Sequence, residues 1–155
     1  MIKHIKCDIF ESGADIICHQ VNCQGVMGSG VAKQVREKYP EIYESYCWYC
    51  NQSHELLGKA YPTYIHPRHN TKTKVIFNLF AQENYGYDGQ CYTNYEALKT
   101  CFEEVASYTG YKTIAIPYKI GCARGGGDWN IVYKMIEEVF ADSDCEVLIC
   151  EYNGG

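Results

Sequence analysis

Two glycine-rich segments, each placed between a buried strand and a helix, constrain this chain more than any other feature. The first runs from His19 to Ala32 and the second from Pro117 to Trp129, with consecutive glycines at 125–127. Glycines let backbone N–H groups approach a ligand closely, and a helix N-terminus favours an anion. Because ligands of open α/β sheets bind beyond the carboxyl ends of the strands, the two loops predict a cleft that wraps a diphosphate.

The first loop matches neither common nucleotide fingerprint. Gly28-x-Gly30 is followed by Lys33 where a third glycine would stand, and no Gly-Lys-Ser/Thr sequence occurs. A tight turn without a ligand therefore stays open as an alternative for this loop. Arg124 in the second loop is suited to a charged hydrogen bond with a phosphate, the alternative being a solvated loop arginine.

The hydrophobic pattern alternates strands and helices along the chain. Strands are predicted near 1–7, 15–22, 59–66, 73–81, 112–117 and 145–150, and helices from Ser29 to Pro40, over 41–52, from Thr93 and from Asp128. Thr93-x-x-Glu96 has the spacing of a capping box, and Asp128 is the expected N-cap of the last helix. This order predicts an α/β fold, a three-layer α/β/α sandwich with a mixed, largely parallel central sheet. The length of 155 residues predicts one domain, 1–155.

Composition and charge exclude several other classes of protein. The chain is 46% hydrophobic and 21% charged, as globular domains are, and its net charge of −5 argues against a nucleic-acid coat or a membrane-surface binder. No apolar run approaches the ~20 residues that span a bilayer, and the N-terminus lacks the apolar region of a secretory signal. We expect a cytoplasmic monomer with neither membrane nor nucleic acid as a partner.

The cysteine content of ten residues is high for one domain. Without a secretory signal the compartment is expected to be reducing, so disulfides are not predicted. Cys47-Trp48-Tyr49-Cys50 is the one CxxC sequence, and it lies in a helical pattern without a second pair of ligands. Small apolar side chains on a helix are therefore expected there rather than a redox or zinc site, and no metal or cofactor is predicted.

Several motifs together resemble the macrodomain family, whose members bind ADP-ribose. The resemblance covers nearly the whole chain. It rests on Cys7-Asp8-Ile9-Phe10, Val21-Asn22, Gly25-Val-Met-Gly28-Ser29-Gly30-Val31-Ala32 and Ile120-Gly121-Cys122. His19-x-x-Asn22-Cys23-x-Gly25 and Leu56-Leu57-Gly58-Lys59 look most like the subclass with ADP-ribose-1″-phosphate phosphatases. That subclass also includes ADP-ribosyl-glutamate hydrolases and antitoxins that remove ADP-ribose from nucleic acids.

The resemblance implies a role for each matched residue. Asp8 would accept a hydrogen bond from the adenine amino group, Ile9 would offer its backbone N–H to the ring, and Tyr152 would stack on it. Asn22 would face the distal ribose. One phosphate would be bound by Gly28, Ser29, Gly30 and Val31, and the other by Gly121, Cys122, Ala123, Arg124 and Gly125. The alternatives are a turn cap for Asp8, a strand-end turn residue for Asn22 and a surface tyrosine for Tyr152.

The chain departs from the hydrolases of this subclass at two positions. Where they carry a lysine after the strand that matches 75–80, this chain has Gln82, which cannot form a Schiff base or act as a cationic nucleophile. Where the protein-directed hydrolases carry an aspartate in the second loop, this chain has Gly125. A lysine-dependent mechanism is therefore not expected.

Two titratable residues remain as candidate catalytic groups. His19 suits general acid–base catalysis at neutral pH, provided that the regular strand stops before about residue 20. Asp128 would activate a water. The alternatives are a buried histidine bonded to backbone and a plain helix N-cap. We expect the chain to bind ADP-ribose or a derivative and to hydrolyse a derivative such as the 1″-phosphate, the alternative being a non-catalytic reader of ADP-ribose or ADP-ribosylated macromolecules.

Overall fold

The computed structural model describes residues 1–52, 55–86 and 88–152. Its strands and helices are β1 (Ile2–Lys6), β2 (Ile16–Asn22), α1 (Gly30–Lys38), α2 (Pro40–Gln52), β3 (Ala60–Tyr64), β4 (Val75–Gln82), α3 (Tyr95–Ala106), β5 (Thr113–Pro117), α4 (Trp129–Val139) and β6 (Glu146–Glu151). Short 3₁₀ turns occupy Ile9–Glu11 and Pro67–His69. The predicted order of elements is confirmed, with small differences at their ends.

The strands form one sheet in the order β1-β6-β5-β2-β4-β3. Every pair is parallel except β3 and β4, which run antiparallel, so the sheet is mixed and largely parallel as predicted. Five parallel strands deliver their carboxyl ends to the edge of the sheet where both glycine loops begin. The loops are thus brought together by topology, as the rule for open α/β sheets requires.

Apolar layers cover both faces of the sheet. One layer packs α3 and α4 on the sheet, with Phe102 and Ile136 fully buried in it. The other packs α1 and α2 on the opposite face, with Val35 and Tyr46 fully buried. Strands covered on both faces read as continuous apolar runs rather than alternating ones, which is the pattern that β2 and β4 show. The three-layer α/β/α sandwich is confirmed.

The predicted capping residue of α3 is wrong by one position. The side chain of Asn94 accepts the N–H of Ala97 at 2.9 Å, so Asn94 is the N-cap. Thr93 instead donates its hydroxyl to the carbonyl oxygen of Gly121 at 2.7 Å, in the second glycine loop. Asparagine caps a helix at least as well as threonine does, so Thr93 is left available for this distant contact.

The ten cysteines all lie in the described ranges and are free thiols. Cys47 and Cys50 lie on α2, as the helical pattern indicated. Among the residues that the structure describes, no group of three or more His, Cys, Asp and Glu side chains could hold a metal ion. None of the described helices combines the length and apolar character needed to cross a bilayer.

Candidate functional site

Two adjoining cavities form one cleft beyond the carboxyl ends of the strands. The first, here the glycine-loop cavity, has a volume of about 250 Å³ and lies between the two glycine loops. The second, here the Asp8 cavity, has a volume of about 290 Å³ and lies beside Asp8 and Tyr152. Val31, Pro117 and Tyr118 line both cavities, so a single elongated ligand can extend from one into the other.

Asn22 shapes the first glycine loop and also lines the glycine-loop cavity. Its amide nitrogen donates to the carbonyl oxygen of Val26 at 2.8 Å, and its Oδ1 accepts the N–H of Gln24 at 2.9 Å. The hydroxyl of Tyr46, fully buried, donates to the carbonyl oxygen of Asn22 at 2.6 Å. An amide nitrogen has two hydrogens, so Asn22 can hold its turn and still offer one N–H to a ligand.

The N-terminus of α1 opens onto the glycine-loop cavity. The predicted residues Gly28, Ser29, Gly30 and Val31 all line it. Ser29 is the N-cap but makes no side-chain capping bond, and Gly30 has a φ of +61°, which only glycine adopts readily. The first N–H groups of a helix have no intrahelical acceptor and carry partial positive charge. This end of α1 is therefore suited to an anion.

The second glycine loop forms the facing wall. Gly121, Ala123, Arg124 and Gly125 line the cavity as predicted, but Cys122 does not. The thiol of Cys122 lies 3.3 Å from the carbonyl oxygen of Ile120 and packs against the core under α3 and α4. Burial raises the pKa of this thiol to about 11. The side chain of Cys122 is thus part of the core rather than of the site.

The glycine run at 125–127 has a packing cause in addition to any ligand. A Cβ atom at Gly126 would collide with the carbonyl oxygen of Gln90, and one at Gly125 would collide with the hydroxyl of Thr93. The carbonyl oxygen of Gly125 accepts the N–H groups of both Tyr92 and Thr93, at 2.7 and 3.0 Å. The loop lies directly on the segment before α3, and only glycine permits that approach. From the sequence, these glycines were predicted to serve ligand binding alone.

Gly126→Ala is expected to lower the free energy of unfolding by about 2–4 kcal/mol, because it adds a collision to the strain of a positive φ. Gly89→Ala is the matched control. Gly89 has a φ of +78°, close to the +71° of Gly126, but no atom would lie within 4 Å of its Cβ. The control should lose only about 1–2 kcal/mol. Urea denaturation of the three proteins measures the difference, and equal losses would contradict the packing argument.

His19 is among the residues that line the glycine-loop cavity, but its imidazole is almost wholly enclosed. β2 pairs regularly with β4 through Val21 and shifts register only before Asn22, so the strand does not stop before residue 20. The ring is enclosed, with 1% of the residue exposed, and its Nε2 lies 2.7 Å from Oδ1 of Asn78. Burial lowers the pKa of His19 to about 4. His19 is a buried, neutral histidine bonded to a side-chain amide, and we do not carry it forward as a catalytic residue.

The buried His19 makes stability depend on pH. Its folded pKa of about 4 lies below the unfolded value of about 6.5, so the unfolded chain binds more protons between these values. Stability therefore falls as pH drops through this window, by about 2 kcal/mol between pH 7 and pH 5. His19→Leu should be less stable at pH 7 but should lose this part of the pH dependence. Identical pH profiles of the free energy of unfolding in the two proteins would contradict the assignment.

Asp128 lies outside both cavities. Its exposed carboxylate accepts the N–H of Asn130 at 2.9 Å, which makes it the N-cap of α4. Its own N–H donates to the hydroxyl of Tyr95 at 2.9 Å. The predicted cap is confirmed, whereas the predicted role in activating a water has no geometric support.

Gln82 lines the glycine-loop cavity at the end of β4. Its Oε1 accepts from Nε2 of Gln20 at 2.8 Å, and its own Nε2 donates to the carbonyl oxygen of Asn84 at 2.9 Å. Gln20 was not predicted as a site residue, although it precedes Asn22 by two positions on the same strand. Tyr85, Gly86 and Lys119 also line this cavity and were missed, since they lie on loops without a periodic pattern.

The Asp8 cavity brings together the residues expected around a base. Asp8, Ile9 and Tyr152 line it, and Tyr152 is 62% exposed. Oδ1 of Asp8 accepts the N–H of Phe10 at 2.9 Å, so the turn cap anticipated as an alternative is also present. Glu151, which contacts Nε2 of His4 at 2.9 Å, was missed.

Charge is distributed unevenly along the cleft. Of the described residues, Lys119 and Arg124 line the glycine-loop cavity and no carboxylate does. The carboxylates Asp8 and Glu151 line the other cavity. The cleft can therefore attract an anionic group at one end and accept amino hydrogens at the other.

Comparison with known proteins finds a matching family model and several relatives. A family model described as Macro domain matches residues 18–136. The DNA ADP-ribosyl glycohydrolase of Thermus aquaticus is 25% identical over 89% of this chain, which spans 37% of that relative. An uncharacterized 17.5 kDa protein of phage T4 is 30% identical, over 98% of this chain and 97% of its own length. An ADP-ribose 1″-phosphate phosphatase of Scheffersomyces stipitis is 37% identical over 39% of this chain and 40% of its own length.

Solved structures share the fold. The macrodomain of Thermus aquaticus DarG superposes with a TM-score of 0.82 at 22% identity, covering 99% of both chains. Thermosipho africanus DarTG in complex with ADP-ribose superposes with a TM-score of 0.82 at 20% identity, over 97% of this chain and 41% of the other. Identities this low establish the fold alone. The present chain spans only about two fifths of the DNA ADP-ribosyl glycohydrolases that it matches.

Proposed function

Since the chain belongs to the Macro domain family, we propose that its cleft binds ADP-ribose, or a larger molecule that carries an ADP-ribose unit. One observation carries this proposal: two glycine loops and the Asp8 cavity form a continuous cleft, joined by Val31, Pro117 and Tyr118. A structural neighbour, the Thermosipho africanus protein, is described in complex with ADP-ribose.

The chemistry of the cleft suggests how the ligand lies. Adenine would occupy the Asp8 cavity, where a carboxylate can accept its amino hydrogens and Tyr152 can stack on the ring. The diphosphate would lie between the N-terminus of α1 and the second glycine loop, where backbone N–H groups converge and no described carboxylate opposes it. The distal ribose would reach Asn22 and Gln82.

Calorimetry with ADP-ribose is expected to show one binding site per chain, with NAD much weaker. The nicotinamide of NAD would have to fit beyond the distal ribose, where Asn22, Gln82 and Tyr85 line the cavity. Absence of both binding heat and a thermal shift at millimolar ADP-ribose would overturn the proposed function.

Asp8→Ala should weaken ADP-ribose binding by about 1–3 kcal/mol, because the adenine amino group loses its acceptor. It also removes the side-chain cap on Phe10, so stability must be measured in parallel. Asp8→Asn is the matched control: its amide oxygen can keep the cap, while its amide nitrogen opposes the adenine amino group. Weaker binding in both variants supports the assignment, and unchanged affinity in Asp8→Asn would contradict it.

Hydrolysis of an ADP-ribose derivative is the second candidate function. It is favoured by the relatives, which are named DNA ADP-ribosyl glycohydrolase and ADP-ribose 1″-phosphate phosphatase. Against it, His19 lines the cavity but is buried with a lowered pKa, and Asp128 lies outside the cavity. Gln82 occupies the position of the expected lysine. The described side chains near the distal end are mainly amides and a phenol, which can orient a water but are poor bases at neutral pH.

Two assays separate the hydrolase from the non-catalytic reader. One measures phosphate released from ADP-ribose-1″-phosphate, and the other measures ADP-ribose released from ADP-ribosylated single-stranded DNA. Release that depends on protein concentration and is reduced by Asp8→Ala would establish catalysis in this cleft. Tight binding of ADP-ribose with release at the background rate would establish the reader, and activity on only one substrate would identify its class.

A further inference from the structure

A lysine occupies a turn position that normally takes glycine. β5 ends in a four-residue turn, Pro117–Ile120, closed by the N–H of Ile120, which donates to the carbonyl oxygen of Pro117 at 3.0 Å. Lys119 is the third residue of this turn and has a φ of +62°. Turns with a positive φ at the third position favour glycine or asparagine, because the Cβ of other residues is strained there. A side chain kept at such a position is a candidate for a functional role.

The location of Lys119 indicates what that role is. Lys119 lines the glycine-loop cavity, and its ammonium lies 5.4 Å from the ring centroid of Tyr118. Tyr118 lines both cavities, and its ring also packs against His4 and Trp129, so Lys119 lies beside a residue that the two cavities share. Its one described contact is with this ring, and none of the ion pairs found among the described residues includes it.

An ammonium in this position suits a phosphate. The described lining of the glycine-loop cavity contains no carboxylate, although the whole chain has a net charge of −5. The ring of Tyr118 can hold the cation without neutralising it, since a cation–π contact leaves the N–H donors available. The N-terminus of α1 adds partial positive charge at the same cavity.

We propose that Lys119 is a phosphate-binding residue, whose ammonium contacts the diphosphate where the ligand passes from one cavity to the other. This assignment rests on the proposed function. It adds a side-chain cation, besides Arg124, to a site built mainly from backbone N–H groups. It also explains why a strained lysine stands where glycine would fold more easily.

Three substitutions separate the charge of Lys119 from its backbone strain. Lys119→Gln removes the charge and keeps the strain, Lys119→Gly removes both, and Lys119→Arg keeps both. Asn70→Gly is the matched control for strain. Asn70 has a φ of +49° in the turn after Pro67–His69 and lines neither cavity. Binding is measured by calorimetry with adenosine, ADP and ADP-ribose at two ionic strengths, and stability by thermal melting.

Removal of the charge is expected to weaken the binding of phosphate-bearing ligands, whereas removal of the backbone strain is expected to preserve or raise stability. Lys119→Gln and Lys119→Gly should weaken ADP and ADP-ribose by about five- to tenfold and leave adenosine unchanged, because adenosine carries no phosphate. Their affinity should also depend less steeply on salt. Lys119→Gly should melt at or above the temperature of the wild type. Lys119→Arg should retain most of the affinity for ADP and ADP-ribose, because it keeps the charge. Asn70→Gly should bind all three ligands as the wild type does.

Several results would overturn the assignment. Unchanged affinity for ADP in Lys119→Gln would show that the ammonium does not contact the diphosphate. An equal loss for adenosine, or a lower melting temperature in Lys119→Gly, would show that Lys119 is structural. A loss confined to ADP-ribose, with ADP unchanged, would place the ammonium near the distal ribose instead. Failure of the wild type to bind ADP-ribose would overturn the proposed function as well, whereas the results above would leave it standing.

Discussion

The hydroxyl of Thr93 joins the second glycine loop to the sheet, and the shape of the cleft depends on it. Its single hydrogen goes to the carbonyl oxygen of Gly121, so its oxygen must accept from Nε2 of Gln20, at 2.8 Å. Gln82 imposes the same orientation on Gln20. Because Nε2 of Gln82 donates to Asn84, its Oε1 faces Gln20 and must accept from Nε2 of Gln20. One amide orientation therefore satisfies both neighbours. In this orientation Oε1 of Gln20 faces Gly121. A Cβ atom added at Gly121 would lie only 2.8 Å from that oxygen, so a side chain does not fit there.

Alternation along β2 sends neighbouring polar side chains into different surroundings. Gln20 contacts Thr93, in the segment that leads into α3, whereas His19 contacts Asn78 in a buried polar network. Asn78 donates in turn to the carbonyl oxygen of Tyr61 and to the hydroxyl of Thr63. This network satisfies Nε2 of His19 and the amide of Asn78, whereas Nδ1 of His19 has no hydrogen-bond partner among the described residues. It explains why a histidine so close to the cleft is buried and hydrogen-bonded within the core.

The cleft combines fixed backbone donors with few charged side chains. Backbone N–H groups at the N-terminus of α1 and in the second loop are held by packing, so they need little reorganisation when an anion binds. The separation of Lys119 and Arg124 from Asp8 and Glu151 gives the cleft a direction, which an elongated ligand with one anionic and one amino-bearing end can match. These features suit the proposed ligand, ADP-ribose, whose diphosphate and adenine lie apart from each other.

The sequence by itself determined the order of strands and helices, because hydrophobic periodicity and turn residues act locally. It also determined that Asp8, Asn22 and both glycine loops meet, because parallel strands end at one edge of a sheet. Only the tertiary structure decided where His19, Cys122 and Asp128 direct their side chains, and which of Thr93 and Asn94 caps α3. These outcomes depend on contacts between distant segments, such as His19 with Asn78, 59 residues away. The positive φ of Lys119 and the collision that excludes a side chain at Gly126 are likewise set by the packing of loops, which no periodic pattern records.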